Sequence, residues 1–460
     1  MPMLMWIAAM TTLAAAAFYT QNEYLLPIGL LGVIAMRFVL TNPNWALAAL
    51  IASPNVQYGV WLSPVKIATA VVLPLLLWSG MRRKQTMLAG GGWFAAIVIA
   101  TMAWQVAVDV GLGYLDDPVA LAPIAGLLAT MLAMWKSIFD LRFLVAHSII
   151  QTFALLLLGA TMPFFVSTAE MQAEVTRHGG LAGQPNLLAT SLSRTTVFAV
   201  ALLVGRHYGI VLRAVAVAAL AGGVYAQFAA NSRSGVLSFI GGATALALLG
   251  AEGLPRRLAV ILAVVGISTM GIVLAPYSYR ERALSVFEFA DATNADRARI
   301  DEMTSGRATL NARAIAIIES SPLIGIGSSG FQRTAGGGTA VHNAFLAVGA
   351  GAGVLAMLAV ATAVVGALAV GVRAVLRTEH YRVEAAATVA CAFAGLIDML
   401  SSPIFMTLQN LWAFMLCAQL PTLVAKSKRQ QMDATTPEPA RQATLSHLPS
   451  AREPLAARKA

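Results

Sequence analysis

Apolar runs separated by short connectors bearing charge, glycine or proline recur along most of the chain, and this rhythm limits the fold more than any motif does. Runs such as "VVLPLLLW" and "FALLLLGATMPFFV" are apolar on every side, so no face is reserved for water. A helix crossing a bilayer needs roughly 20 such residues, and inside hydrocarbon only helices and closed barrels satisfy their own backbone groups. Barrel strands would alternate apolar and polar residues; these runs do not. Apolar residues make up 58% of the chain and charged ones 11%, with a mean hydropathy of +0.73, outside the range of water-soluble domains. The expectation is an all-α, polytopic transmembrane helical bundle in contact with membrane lipids.

Apolar windows near 4–20, 24–40, 43–53 with 64–79, 86–107, 118–138, 143–166, 187–205, 212–230, 235–250, 258–276, 342–371, 383–400 and 403–424 give about 12 spans. The N-terminal "MPMLMWIAAM" lacks a basic stretch ahead of its apolar run, so a retained first span is expected rather than a cleaved signal. The organisation reads as an N-terminal bundle (1–276), a long loop (277–340), C-terminal transmembrane helices (341–425) and a disordered tail (426–460). Cys391 and Cys417 both fall in apolar runs, which suits small packed or lipid-facing residues and not a disulfide framework or zinc site.

Basic residues in short connectors mark the cytoplasmic side. Arg82, Arg83 and Lys84 form one cluster; Lys136 with Arg142, Arg206 with Arg213, Arg256 with Arg257, and Arg373, Arg377 and Arg382 form the others, at every second connector. The connectors between them then face outward: 167–186, "NSRSG" (231–235), "SSP" (401–403) and the loop 277–340. That loop carries seven Arg and seven Asp or Glu and is far longer than two helices need to be joined. Within it Leu310, Ala314, Ile317 and Ile318 recur at helical spacing, with Arg307, Asn311 and Glu319 elsewhere on the wheel, Ser305 as a start and Pro322 as a stop. An amphipathic helix at the outer membrane boundary is expected. Gly325, Gly327 and Gly330 then bend the chain back toward His342, which opens the next span.

"GQPN" in an outer connector, "NSRSG" at an outer helix junction, "SGR" before the amphipathic helix, "SSPLIGIGSSGF" and "VHNAFL", in that order over roughly residues 180–400, resemble the O-antigen ligase and polymerase family of bacterial inner membranes. The aromatic residues often seen around the amphipathic helix in such proteins are absent from 307–320. The resemblance implies a membrane-embedded glycosyltransferase of the C type, multi-pass in the bacterial inner membrane, with its active face toward the periplasm. It would move a glycan from undecaprenyl diphosphate to a sugar hydroxyl, using lipid A-core or another glycan as acceptor and no nucleic acid.

The residues suit such chemistry. A departing diphosphate needs its growing charge neutralised, and the outward connectors hold no D-x-D pair or carboxylate and histidine cluster with metal spacing, so no metal or other cofactor is expected. Arginine can replace a metal because its permanent planar charge binds phosphate oxygens in pairs. Arg233 in "NSRSG" and Arg307 in "SGR" are the first candidates; the bland alternatives are snorkelling to head groups and solvation. Arg280, Arg282, Arg297 and Arg299 share the long loop and could touch diphosphate or acceptor. His342 and Asn343 would sit at a helix N-terminus, where the dipole disfavours imidazolium and leaves a neutral ring able to take a proton; the alternative is a simple cap. The catalytic set is thus His342, Arg233 and Arg307.

Further substrate contacts are expected from Asn343, from Gln184 and Asn186 at the sugar-diphosphate entrance, and from Arg194, two turns into its helix. Asp398 in "GLIDMLSSP" could pair with an arginine or replace His342 as base, and His178 reads as a loop residue. The sister reaction, a polymerase joining lipid-linked repeats, uses the same donor and stays open, as do exopolysaccharide and glycoprotein glycan transfer. An anion or lipid transporter would show two similar halves with matching broken helices, and no such repeat is visible.

Overall fold

The computed structural model describes residues 91–114, 185–274 except 206 and 231, 307–327, 330–331, 341–378, 381–401 and 408–435, with isolated positions 148, 151–152 and 280. Among them the secondary structure is helical, without strands: α1 Gly92–Gly111, α2 Pro185–Val204, α3 Ile210–Ala229, α4 Arg233–Gly250, α5 Leu254–Leu274, α6 Arg307–Ser320, α7 Ala344–Leu376, α8 Arg382–Ser401 and α9 Leu408–Thr435. Six of these, α1, α3, α4, α5, α7 and α8, are long and apolar enough to cross a membrane, which makes this a multi-pass membrane protein. The windows near 4–20, 24–40, 43–53, 64–79, 118–138 and most of 143–166 lie outside the described residues, as does much of the 277–340 loop.

Helix α2 is the axis of the bundle. Its polar run "TSLSRTT" is buried, which it tolerates because the hydroxyls bond back to its own turns: Ser193 Oγ to Thr190 O (2.7 Å) and Thr196 Oγ1 to Leu192 O (2.7 Å). Gln227 of α3 then donates to Thr196 Oγ1 at 3.1 Å, tying α3 to that axis. Helix α4 lies between α2 and α8, and small residues permit the approach. A Cβ at Gly235 would come within 2.5 Å of the Ala189 Cβ, so any larger residue would push α4 off α2. Both cysteines are packed: the Cys391 Sγ reaches Arg194 O and the Cys417 Sγ reaches Thr388 O.

Helices α1, α7, α8 and α9 complete the core, where Phe198 stacks on Trp412 and Phe94 leans on Phe414. Helices α3 and α5 form the rim and leave large side chains uncovered, such as Ile210 (80% exposed) and Leu262 (68%). In a bilayer that surface meets acyl chains, so its exposure carries no hydrophobic penalty. Helix α9 runs to Thr435, so residues 426–435, expected to begin a disordered tail, are helical. Lys426, Lys428, Arg429, Gln430 and Gln431 are good helix formers and extend the apolar helix before them.

Antiparallel packing sorts the helix ends. Arg382 Nε donates to Leu249 O at 2.8 Å, so α8 begins where α4 ends, and the starts of α4 and α7 share the opposite end. At the first end Arg256 reaches Val204 O (2.6 Å), Arg213 reaches Gly205 O (3.1 Å) and Arg257 reaches Ala251 O (3.1 Å), while Tyr208 donates to Glu384 (2.7 Å). Burial, followed by the Glu384 charge, pushes the Tyr208 phenol far above its usual range.

Candidate active site at the opposite end of the bundle

Helix α6 packs through Leu310, Ala314, Ile317 and Ile318 against Phe331, Val341, Leu346, Ala347 and Ala350, so its expected apolar face is covered by the protein itself. The buried side is wider than the apolar stripe. Arg307 and Asn311, placed elsewhere on the wheel by periodicity, are half-buried, because 307, 311, 314 and 318 succeed one another by three or four residues and share a side. Glu319 is exposed. The helix stops at Ser320, two residues before Pro322.

The segment after α6 is wedged into a break in α7. Gly353 has φ 85° and ψ 170°, a region open essentially to glycine alone, so α7 is two helical pieces rather than the single span read from sequence. The break frees two carbonyls and an N–H that the returning chain satisfies: Ile326 N donates to Ala350 O (2.8 Å) and Gly327 N to Gly351 O (3.0 Å), while Val354 N of α7 donates to Pro322 O (2.7 Å). Trp104 Nε1 of α1 covers the next one, Ala352 O, at 3.2 Å. The buried Asp109 of the same helix lies against Gly327. Broken helices survive at membrane depth only when the protein re-satisfies their backbone in this way. Sequence reasoning passed over Trp104 and Asp109; a carboxylate inside the apolar run "WQVAVDVGLGY" was the available signal.

The first piece of α7 is capped by Asn343, whose Oδ1 accepts from Phe345 N (3.0 Å) and Leu346 N (3.2 Å). His342 stands just before that cap, half-buried. Its pKa is lowered from the ordinary histidine value, first by burial and then by the positive charge of Arg307. Arg307, on a different element, is thus near enough to His342 for its charge to be felt, and both influences favour the neutral ring. Arg233, also half-buried, is the first residue of α4 at this same end, beside a Ser232–Ser234 hydroxyl contact of 3.2 Å. Asn186 is half-buried in the first turn of α2.

Arg194 and Asp398 are deeper. Arg194 Nη2 lies 3.0 Å from Asp398 Oδ2, both side chains are essentially inaccessible, and Ser238 Oγ donates to the other carboxylate oxygen at 2.6 Å. Of the two roles open to Asp398, pairing with an arginine is what the geometry contains, and the cluster pins α2, α4 and α8. Ser238 escapes sequence reasoning, because a serine in an apolar helix carries little signal. Arg280 is exposed; Gln184, Arg282, Arg297, Arg299 and His178 lie outside the described residues. Among the described residues no three His, Cys, Asp or Glu side chains gather as a metal site.

No curated protein matches the chain. The family model described as O-antigen ligase matches residues 214–361, about a third of the chain; the matched stretch begins in α3, takes in Arg233 and Arg307 and ends in α7 beyond His342.

Proposed function

We propose that the protein is a lipid-diphosphate-dependent glycosyltransferase that moves a preassembled glycan from undecaprenyl diphosphate to a sugar hydroxyl of lipid A-core. The observation that carries this reading is a half-buried His342 close enough to Arg307 to feel its charge, both within the stretch matched by the O-antigen ligase model. A His342 nitrogen takes the proton of the acceptor hydroxyl as its oxygen attacks the anomeric carbon of the donor sugar. The bond between that carbon and the phosphate oxygen breaks, and undecaprenyl diphosphate leaves with the electron pair. Arg307 and Arg233 hold the diphosphate, and their attraction grows as negative charge collects on the departing oxygen. The main-chain N–H groups at the starts of α4 and α6 add to the same field.

In this reading Asn343 orients His342 by fixing the start of α7, and the Arg194–Asp398 pair holds the frame from below. Asn186 and Gln184 line the donor entrance, and Arg280 and Arg282 serve diphosphate or acceptor. The end rich in Arg213, Arg256, Arg257 and Arg382 faces the cytoplasm by the positive-inside rule, which turns His342 to the periplasm of the inner membrane. The test uses purified protein, undecaprenyl-diphosphate glycan and either lipid A-core or a second lipid-linked repeat, with EDTA present, and reads product size on a gel. One transferred block on lipid A-core is the expected result. A lengthening ladder on the lipid-linked repeat would make it a polymerase, and no covalent product with either would refute glycosyl transfer.

A further inference from the structure

Asn311 has a side chain that its own helix does not explain. Its carboxamide oxygen is buried and has no hydrogen-bond partner. A buried acceptor left in that condition weakens the fold, and asparagine is also a poor residue for a helix interior. Its neighbours on α6 show what packing alone would select, since Leu310, Ala314, Ile317 and Ile318 all join the apolar cluster around Val341 and Leu346. A leucine at 311 would extend that cluster and remove the unsatisfied oxygen. Among the described residues Gln151 leaves a carboxamide oxygen, and Ser268 on α5 and Thr378 after α7 leave hydroxyls, in the same state, but none of them lies on α6 with Arg307.

Position narrows what could satisfy Asn311. It comes four residues after Arg307 on the same side of α6, so the two side chains start about 6 Å apart, roughly one helical turn. That interval is on the scale of the distance from a phosphate to the sugar bonded to it. An oxygen acceptor repels anions, so the missing partner is a hydrogen-bond donor and not a second phosphate. Resting on the proposed lipid-diphosphate donor, we infer that Asn311 is a sugar-binding residue, whose oxygen accepts a hydrogen bond from a hydroxyl or amide N–H of the sugar attached to the diphosphate held by Arg307. The empty acceptor is then a fold-level cost that donor binding relieves, as is common where function and stability compete.

The test compares wild type with Asn311→Leu, and with Asn311→Ala in case the larger side chain fails to fold. Two ligands are titrated against detergent-purified protein: undecaprenyl-diphosphate glycan and undecaprenyl diphosphate without sugar. The glycan-bearing donor is expected to bind the variants about tenfold more weakly, and the bare diphosphate as well as wild type does. Donor KM should rise by a similar factor with kcat nearly unchanged, and the Tm of Asn311→Leu should stay level or rise. Equal weakening of both ligands would mean that the residue acts only through the packing of α6, and unchanged affinity for both would mean that it touches no sugar; either overturns the assignment. If wild type transfers glycan while Asn311→Leu keeps wild-type donor affinity, the assignment alone fails. If wild type transfers nothing to either acceptor, the proposed donor fails, and this inference with it.

Discussion

The two ends of the bundle use the same residue type in opposite ways. At one end Arg213, Arg256, Arg257 and Arg382 each reach a main-chain carbonyl where α2 or α4 finishes. Those carbonyls lack helical partners and carry partial negative charge, so a guanidinium there caps the helix and favours the fold. At the other end Arg233 and Arg307 are the first residues of α4 and α6, where the helix dipole repels a cation. Helix-dipole electrostatics alone would not select arginine there. An arginine at a helix start instead adds its charge to that of the N–H groups, which favours an anion, and His342 lies within reach of the Arg307 charge. One end is chemistry used for folding; the other is folding that presents chemistry.

The sharpest way to break this contrast is substitution at each end. His342→Ala and Arg307→Ala should each lower glycan transfer by on the order of 100-fold or more, whereas Arg256→Ala and Arg382→Ala should stay within a few-fold and instead lower the Tm. Comparable losses of turnover at both ends would erase the distinction. A second large effect separates frame from site: Asp398→Ala strands Arg194 opposite an empty position and should cost about 3–5 kcal/mol of stability, with Asp398→Asn costing less. Thermal unfolding in detergent reads this, and the kcat of the folded fraction should hardly move.

Gly353→Ala should cost about 1–3 kcal/mol for its backbone conformation alone, and more because the new Cβ meets the Leu323 carbonyl. Since the chain wedged there joins α6 to α7, kcat should fall while affinity for undecaprenyl diphosphate holds. The smallest effect is in the pH profile. Burial and Arg307 both favour neutral His342, so activity should be present at neutral pH and lost as pH falls through a midpoint below 6.5. Arg307→Lys keeps that midpoint; Arg307→Gln, read from the residual kcat/KM, raises it toward 6.5 without reaching it, because burial remains.

The described spans were legible because hydrocarbon leaves a chain few options: the ends of α2, α3, α4, α5 and α8 fall within about four residues of the apolar windows, while α9 runs past its window to Thr435. The apolar face of α6 was legible for a similar reason; the cap before "AFL" was legible only as the alternative to a substrate contact for Asn343. The features that stayed hidden depend on partners distant in sequence. Arg194 and Asp398 each look like a ligand contact when read singly, and only the fold brings them 3.0 Å apart across α2 and α8. The break at Gly353 sits in a run, "GAGAG", whose apolar neighbours give no hint of the wedge that fills it. Asn311 falls on the wrong side of its helix in the sequence pattern because periodicity counts apolar residues and cannot register a polar one that is buried.

The most direct measurement is the affinity of undecaprenyl diphosphate for two double variants, Arg233→Ala with Arg307→Ala and Arg256→Ala with Arg382→Ala, each compared with wild type in detergent. If the His342 end holds the diphosphate, the first loses binding by at least about 100-fold, two charge-assisted contacts, while the second binds as wild type does. Equal affinity in both, or a greater loss in the second, would contradict that assignment.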